Sequence, residues 1–471
     1  MLQGTSELEV FESVFASSPV LAIGHLGSGW RSVNELISPS GSISARIIVR
    51  MIIIPIMISG MGKSDEVVTT ETCIIGAGPH GLAAALYLKQ ADPFADLTVI
   101  DRSNEWLTNW TQQFKRAEIA TLRSPIVHHP APNPYALTDF VTRKNFSRSD
   151  LPYDPPTTQA FSAFCAEIIT EADLAPPLIA APKSVRSDHN SIKLETSSGI
   201  IYAQNLIIAM NPHQRIIPQW TWNIIGHQAG LIEHAFDVDL PNMPDLYGQR
   251  VVIIGGGLTG AHLARNATQR GAKVTIVARR PLQIRDFDTE PGWLGPKYLN
   301  DYHADSDATR RIQTAHDARN GSSIPGWMLN SLTEPINGLS IEILDSTEVL
   351  SAQPTPPKGC VLNLSTEEEI YCDQVWLATG TQSSLHSMRW LQPILQDIPT
   401  IDGLPLVDQS LRLGPHPIFV MGRSATFALG PAAGNLWGAR QAAHRIATAI
   451  TGLELDSDGS AHSSKTRNIN S

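Results

Sequence analysis

The residues whose types and spacing bear most directly on chemistry are glycines. Gly76, Gly78 and Gly81 stand in Gly76-Ala77-Gly78-Pro79-His80-Gly81, directly after the apolar run 73–75. A helical pattern carried by Leu82, Ala85, Leu86 and Leu88 follows, and a second apolar run, 97–100, ends on Asp101. Each part has a task in a dinucleotide site. Gly76 permits the tight turn, Gly78 lets a pyrophosphate approach the backbone, and Gly81 lets helix and strand pack closely. The helix start offers unpaired N–H groups and partial positive charge to phosphates. An acid about twenty residues beyond the last glycine accepts hydrogen bonds from ribose hydroxyls, which is the place of Asp101. A glycine turn by itself is weak evidence, and the strands and acid in register are what raise it above a structural turn.

The pattern recurs. Gly255, Gly257 and Gly260 follow the run 251–254, a helix is expected over 258–270, and a second strand over 273–277. Here Arg279 and Arg280 replace the acid. A carboxylate would repel a 2′-phosphate, whereas arginine pairs with it bidentately. The first unit therefore suits FAD or NAD and the second suits NADP.

These units need a scaffold, and the 471 residues allow two or three domains. The composition is globular, 42% hydrophobic and 17% charged, and the formal net charge of −10 with no basic run argues against nucleic acid and anionic membrane partners. The four cysteines, Cys73, Cys165, Cys360 and Cys372, have no C-x-x-C spacing. This fits a reducing, cytoplasmic setting, gives no metal site, and lacks the close redox pair that a flavoprotein disulfide reductase uses. His128 and His129 have no carboxylate or cysteine at ligand spacing, so no metal is expected there either.

Residues 1–63 are serine-rich and without period, and are expected to be a disordered extension. Their apolar stretch 47–58 is interrupted by Arg50 and Pro55 and is too short for a membrane anchor. The first dinucleotide domain is expected over 64–215, with coil after Asp101 and a helix over 159–172. Trp106, Trp110 and Gln113 are candidate flavin neighbours, because in a flavoprotein this segment commonly lies against the isoalloxazine. A linker and the second domain fill 216–345, including a long insertion after Arg280 with a helix over 308–319, suited to cover a nicotinamide. Residues 346–455 return to the first domain through a strand at 374–377, another at 417–421, and a glycine-rich loop at 430–434. That loop contains Gly434 and leads into a helix over 436–450, whose start can stabilise negative charge on a reduced flavin. Residues 456–471 are expected to be a disordered tail. The fold class is α/β, with two Rossmann-like domains, for FAD and NADPH, the NADPH domain inserted into the FAD domain.

Two glycine units, the strand end Ala378-Thr379-Gly380 and the final glycine loop resemble the two-dinucleotide flavoproteins, and within them the flavin-containing and lysine/ornithine N-hydroxylating monooxygenases. The segment from Phe114-Lys115-Arg116 through Ala120-Thr121-Leu122-Arg123-Ser124-Pro125 is similar to that group's conserved stretch beside the flavin, and His234 resembles the histidine before its NADP domain. The resemblance implies that Gln113 and Lys115 act at the flavin and active-site pocket, and that Trp110, Thr379, Gly380 and Gly434 join the glycines, Asp101 and the two arginines in binding cofactor. It implies an NADPH-dependent FAD monooxygenase that transfers oxygen from a flavin C4a-hydroperoxide to an amine or sulfur nucleophile. Its partners would be a small substrate and O2, with homo-oligomerisation left open. The group's aspartate falls where Ala117 or Glu118 stands, and its asparagine-rich substrate motif has no counterpart, so ornithine and lysine do not carry over as substrates. An NADPH:acceptor reductase without oxygen insertion uses the same two units, and a non-enzymatic flavin-binding protein is a further alternative.

Overall fold

The computed structural model describes residues 66–188, 191–210, 213–225 and 230–455, together with the short strands 24–26, 29–31 and 461–463. The chain divides into two units, residues 1–65 and 66–471. In the first, Gly24–Leu26 and Gly29–Arg31 pair antiparallel. Most of the expected N-terminal extension, including the stretch 47–58, and most of the expected tail lie outside the described residues.

The larger unit opens with β1 (Glu66–Ile75), α1 (Pro79–Ala91) and β2 (Leu97–Asp101). Two short helices, α2 (Thr108–Arg116) and α3 (Ala136–Arg143), occupy the region expected to be coil, and α4 (Thr158–Glu171) follows. The prolines that suggested coil fall between α2 and α3, where they delimit the helices. Strands β3 (Leu178–Ile179), β4 (Pro182–Ser187), β5 (Ile192–Thr196) and β6 (Gly199–Ile208) complete the first half. Next come β7 (His213–Arg215) and β8 (Ile232–His234) within the expected linker, then β9 (Arg250–Ile254), α5 (Leu258–Gln269) and β10 (Lys273–Val277). The insertion carries α6 (Pro296–Ala304), α7 (Ala308–Arg319) and α8 (Gly326–Thr333). Strands β11 (Glu342–Leu344), β12 (Val349–Pro354), β13 (Cys360–Leu364), β14 (Glu369–Cys372), β15 (Gln374–Leu377), β16 (Thr381–Ser383) and β17 (Ile418–Val420) precede α9 (Leu436–Thr451).

Two sheets result. In the first, the order is β3-β2-β1-β6-β5-β4, with β17 also on β6. β1 and β6 run parallel from Glu66 opposite Gly199 to Ile75 opposite Ile208. β6 then offers its other edge to β5 along its first half and to β17 along its second. The second sheet is all parallel, in the order β8-β15-β9-β10-β11. Its inner strands β15, β9 and β10 are short and largely apolar, as strands covered on both faces must be. Trp376 on β15 is fully buried there, its indole N–H donating to Gln374 Oε1 at 3.0 Å.

The return to the first domain was expected from residue 346. The strands over 349–372 instead form an antiparallel meander, and β15 pairs with β9 in the second sheet. We therefore place the end of the second domain at Leu377: β15 fills the slot between β8 and β9, without which that sheet would lose its continuity.

The two domains are joined by two crossings of the chain that run side by side. β7 leaves the first domain, β16 returns to it, and the pair is antiparallel. Thr379 Oγ1 donates to Ile216 O at 2.5 Å and Ile216 N–H donates to Gly380 O at 3.1 Å. Buried His234 adds a third tie, with Nε2 3.2 Å from Gly380 O. The Phe236 N–H donates to its Nδ1, so Nε2 carries the proton, and burial lowers its pKa and keeps the ring neutral.

Candidate dinucleotide and substrate sites

The first glycine turn is clamped from both sides. The Ala77 N–H donates to Asp101 Oδ2 at 2.9 Å, and Ala77 O accepts from the Leu107 N–H at 2.8 Å. Asp101 Oδ1 also accepts from the Ser103 N–H at 3.2 Å. A carboxylate has about four acceptor positions, so it can hold the turn and still accept from a ribose hydroxyl. Leu107 makes its contact at φ 63°, a left-handed conformation that costs a leucine roughly 1–2 kcal/mol.

The three glycines differ in what surrounds them. Gly76 has φ +106°, open to glycine alone at little cost, and a Cβ there would stand 3.0 Å from Met210 N. A Cβ on Gly81 would overlap the Gly76 carbonyl oxygen. At Gly78 nothing lies within 4 Å of where a Cβ would be. Gly78 is also the N-cap of α1, has no side chain to cap the helix, and no acid sits in the first turn. An open face above uncapped N–H groups is a cradle of the right kind for a pyrophosphate, so the residues of the first domain fit FAD.

The final loop closes on this cradle. His80, on the first turn of α1, has Nε2 3.4 Å from Ala433 O and faces Gly422. Burial lowers its pKa to about 4, against a small opposing effect of the Ala433 carbonyl. Gly434, expected to bind cofactor, is overlaid by Arg423, whose Cγ would be 2.8 Å from a Cβ there. Burial lowers the Arg423 pKa, and Arg319 lowers it further.

The second turn has the same logic with less room. Gly255 has φ +124°, and a Cβ there would overlap Ala378 O; the cradle helix α5 starts at Gly257 without a side-chain cap. Ser322 lies over this turn, its Cβ 3.0 Å and its Oγ 3.3 Å from the position of a Gly257 Cβ. Arg280 packs against Gly321 of the same loop, whereas Arg279 is exposed and lies 3.8 Å from Glu348. The uncapped helix and two cations fit a phosphorylated dinucleotide, with Ser322 as an additional hydroxyl at the cradle. Ala378 packs on the glycine turn, while Thr379 and Gly380 are engaged in the interdomain crossing described above.

Of the proposed active-site residues, Lys115 and Trp110 line one cavity of about 410 Å³ with Phe114, Glu118, Thr158 and Gln159. Trp110 rests on Phe114 and Phe161, with ring centroids 4.7 and 5.8 Å away. Gln113, exposed on the same helix, is not among the lining residues. Trp106 donates its indole N–H to Ala175 O at 3.0 Å.

The residues that sequence reasoning passed over are arginines. Arg123 spends its guanidinium on the insertion: Nε donates to Asp286 O at 2.8 Å, Nη1 pairs with Asp288 at 2.5 Å, and Nη2 donates to Arg285 O at 2.6 Å and Ser323 Oγ at 2.9 Å. The insertion in turn grips the final loop together with the stretch that leads into it, residues 421–435 between β17 and α9. Tyr302 Oη donates to Thr426 O at 2.8 Å, Arg311 to Phe427 O at 2.7 Å, and Arg319 to Pro431 O at 3.0 Å, while His303 Nε2 lies 2.9 Å from Ala428 O. The insertion was expected to cover a nicotinamide; its observed contacts are with the final loop of the first domain and, through Ser322, with the second glycine turn. Arg123 stands in the flavin-side segment without a role of its own there, and Arg311 and Arg319 sit in no motif, so only three-dimensional proximity identifies their partners.

The pyridine nucleotide-disulphide oxidoreductase family matches residues 73–320. No curated protein matches the chain. Among solved structures, it is similar to ornithine N-hydroxylase from Kutzneria sp. 744, at 14% identity and TM-score 0.68, over 81% of this chain and 99% of that one. L-lysine 6-monooxygenase from Pseudomonas syringae is 17% identical, with TM-score 0.64 over 81% and 99%. Bacillithiol disulfide reductase from Staphylococcus aureus is 16% identical, with TM-score 0.53 over 82% and 99%. At these identities the likeness is one of fold, a two-domain dinucleotide-binding architecture. The family match covers the first glycine unit, the second and the segment between them, and by it the chain belongs to the pyridine nucleotide-disulphide oxidoreductase family, as a flavoprotein oxidoreductase of the FAD/NAD(P)-binding kind.

Proposed function

We propose that the protein is an NADPH-dependent, FAD-containing monooxygenase acting on a small amine or sulfur nucleophile. The observation that carries this reading is the grip of the insertion on the final loop, through Tyr302, His303, Arg311 and Arg319. An oxygen-transferring flavin must be kept from bulk water, and a bridge from one domain onto the loop beside the other's cradle serves that need. Bound FAD would supply hydride acceptance from NADPH and transfer of an oxygen atom from O2 to the substrate.

The chain's own residues bind and orient. Gly76, Gly78, Gly81 and Asp101 hold the FAD diphosphate and ribose, and Gly255, Gly257, Gly260, Arg279 and Arg280 hold NADPH. Lys115 and Trp110 present a cation and an aromatic face in the cavity of about 410 Å³. Gln113, exposed and outside that cavity, keeps a role only if the segment moves. The amine class is supported by the ornithine and lysine enzymes, which share the fold.

A reductase reading has one observation in its favour, the shared fold of a disulfide reductase. Stopped-flow spectroscopy separates the two. The NADPH-reduced protein mixed with O2 should show a transient flavin–oxygen adduct that lasts longer with NADP+ present. Direct reoxidation without an adduct, together with fast reduction of quinones or an iron–sulfur partner, would make it a reductase.

A further inference from the structure

The cysteines look scattered along the sequence, yet the fold brings two of them together. Cys360 opens β13, Cys372 closes β14, and they are direct cross-strand partners. Their Sγ atoms are 3.2 Å apart, and both side chains are fully buried. Paired residues on antiparallel strands have Cα atoms roughly 4.5–5.5 Å apart, inside the range a disulfide spans. They belong to one apolar cluster with Val252, Val277, Val375 and Leu377 of the second sheet. Cys73 and Cys165 lie in two other apolar clusters.

The two thiols are not equivalent. The hydrogen bond from Cys372 holds Cys360 below the usual thiol range, and the same contact, with burial, pushes Cys372 up. Burial alone pushes Cys73 up to about 12 and raises Cys165 as well. Cys360 is therefore the thiol of the four that ionises first, and a thiol stands beside it to resolve what it forms.

We propose that Cys360 and Cys372 are a disulfide-forming pair, oxidised by a hydroperoxide to staple the meander on the second domain. The Cys360 thiolate attacks one peroxide oxygen, an S–O bond forms, the O–O bond breaks, and hydroxide leaves. The Cys372 sulfur then attacks the Cys360 sulfur; the S–S bond forms, the S–O bond breaks, and water leaves with the Cys372 proton. Two thiols and one hydrogen peroxide become one disulfide and two waters, with two electrons passing from sulfur to oxygen. This pair is not the dithiol of a flavin-linked disulfide reductase, because it packs on the second sheet while the FAD cradle belongs to the first.

The test is a hydrogen peroxide titration of the reduced full-length protein, quenched with iodoacetamide in denaturant and digested with trypsin. No Lys or Arg lies between Lys358 and Arg389, so both cysteines fall in one peptide, 359–389. That peptide should become about 2 Da lighter and take no alkyl group, while Cys73 and Cys165 remain alkylated. Dithiothreitol should restore alkylation at both positions. Alkylation of Cys360 and Cys372 in parallel with Cys73 throughout the titration would overturn the proposal, as would sulfinic acid at Cys360 without a cross-link. In Cys372→Ala, Cys360 should be alkylated or carry sulfinic acid. A two-hydrogen loss that persisted in that variant would also overturn it.

Discussion

Gly78→Val and Gly81→Val alter one motif and should fail in different ways. Gly78 sits at φ −77° and ψ −173°, backbone that valine adopts freely, and nothing lies within 4 Å of its Cβ direction. The apo fold should accept the change. The bound cofactor should not, since the branched side chain fills the space a pyrophosphate occupies above the start of α1. Hydrogen bonds to a charged group contribute roughly 1.5–3 kcal/mol each, so losing two of them weakens FAD by about 3–6 kcal/mol, or some 10²- to 10⁴-fold. At Gly81 a Cβ overlaps the Gly76 carbonyl oxygen, which no rotamer relieves, so helix and strand must part. The assays are visible absorbance per protein for flavin content and far-ultraviolet circular dichroism for fold. Gly78→Val should be colourless and folded, and Gly81→Val should be colourless and destabilised. Full flavin occupancy in Gly78→Val would refute the cradle assignment. Unfolding of Gly78→Val to the extent of Gly81→Val would refute the division of labour between the glycines.

Three other outcomes are expected. Replacing both Arg279 and Arg280 with alanine should remove most of a preference for NADPH over NADH, an effect of about 10- to 150-fold seen mainly in NADPH affinity; unchanged discrimination would move the phosphate site elsewhere. A chain beginning at Met61 should keep its flavin content and melting temperature, because the first sheet begins at Glu66, and a large loss of either would count against a dispensable extension. Burial lowers the His262 pKa to about 4 and, with Arg440, the His129 pKa to about 3. Both rings are neutral when folded and titrate near 6.5 when unfolded, so the stability they carry is complete above about pH 6.5 and is lost as pH falls toward 4, at about 3 kcal/mol for His262. Melting temperature should drop over that window and less so in His262→Gln; a flat profile would show that the rings are not held neutral.

The glycine units were legible because their constraints are local. A turn at positive φ, a bare face and a close helix–strand contact each demand glycine within a few residues, and Gly76, Gly78 and Gly81 meet those demands in turn. The helices over 258–269 and 308–319 were legible for a similar reason, as apolar periods bounded by Gly257 and Asp307. The domain boundary was not, because β15 resembles any buried strand, and only its partners β8 and β9 assign it to the second sheet. The cysteine pair was hidden in the same way: twelve residues of separation mean nothing until β13 and β14 are placed in register. Arg123 looked like part of a flavin-side segment, yet its partners at 285–288 and 323 lie across the domain junction, where no spacing rule reaches. Lys115 and Trp110 line one cavity, whereas Gln113, placed at the pocket by the resemblance, is exposed outside that lining.

The paired crossings at 213–215 and 381–383 act as a doubled hinge pin. Two strands bonded side by side resist twisting and shear better than a single linker, so any swing of the second domain would be confined to one rotation, like that of a door. The Arg123 cluster is then one of its bolts, since any swing must strip that guanidinium of the carbonyls of Arg285 and Asp286 and of the Asp288 carboxylate. Any opening would thus turn on a fixed axis and release more than one fastening, the Arg123 cluster and the bonds of Tyr302, Arg311 and Arg319 to the final loop, so the resistance of the door is set at its edges as well as by its broad face.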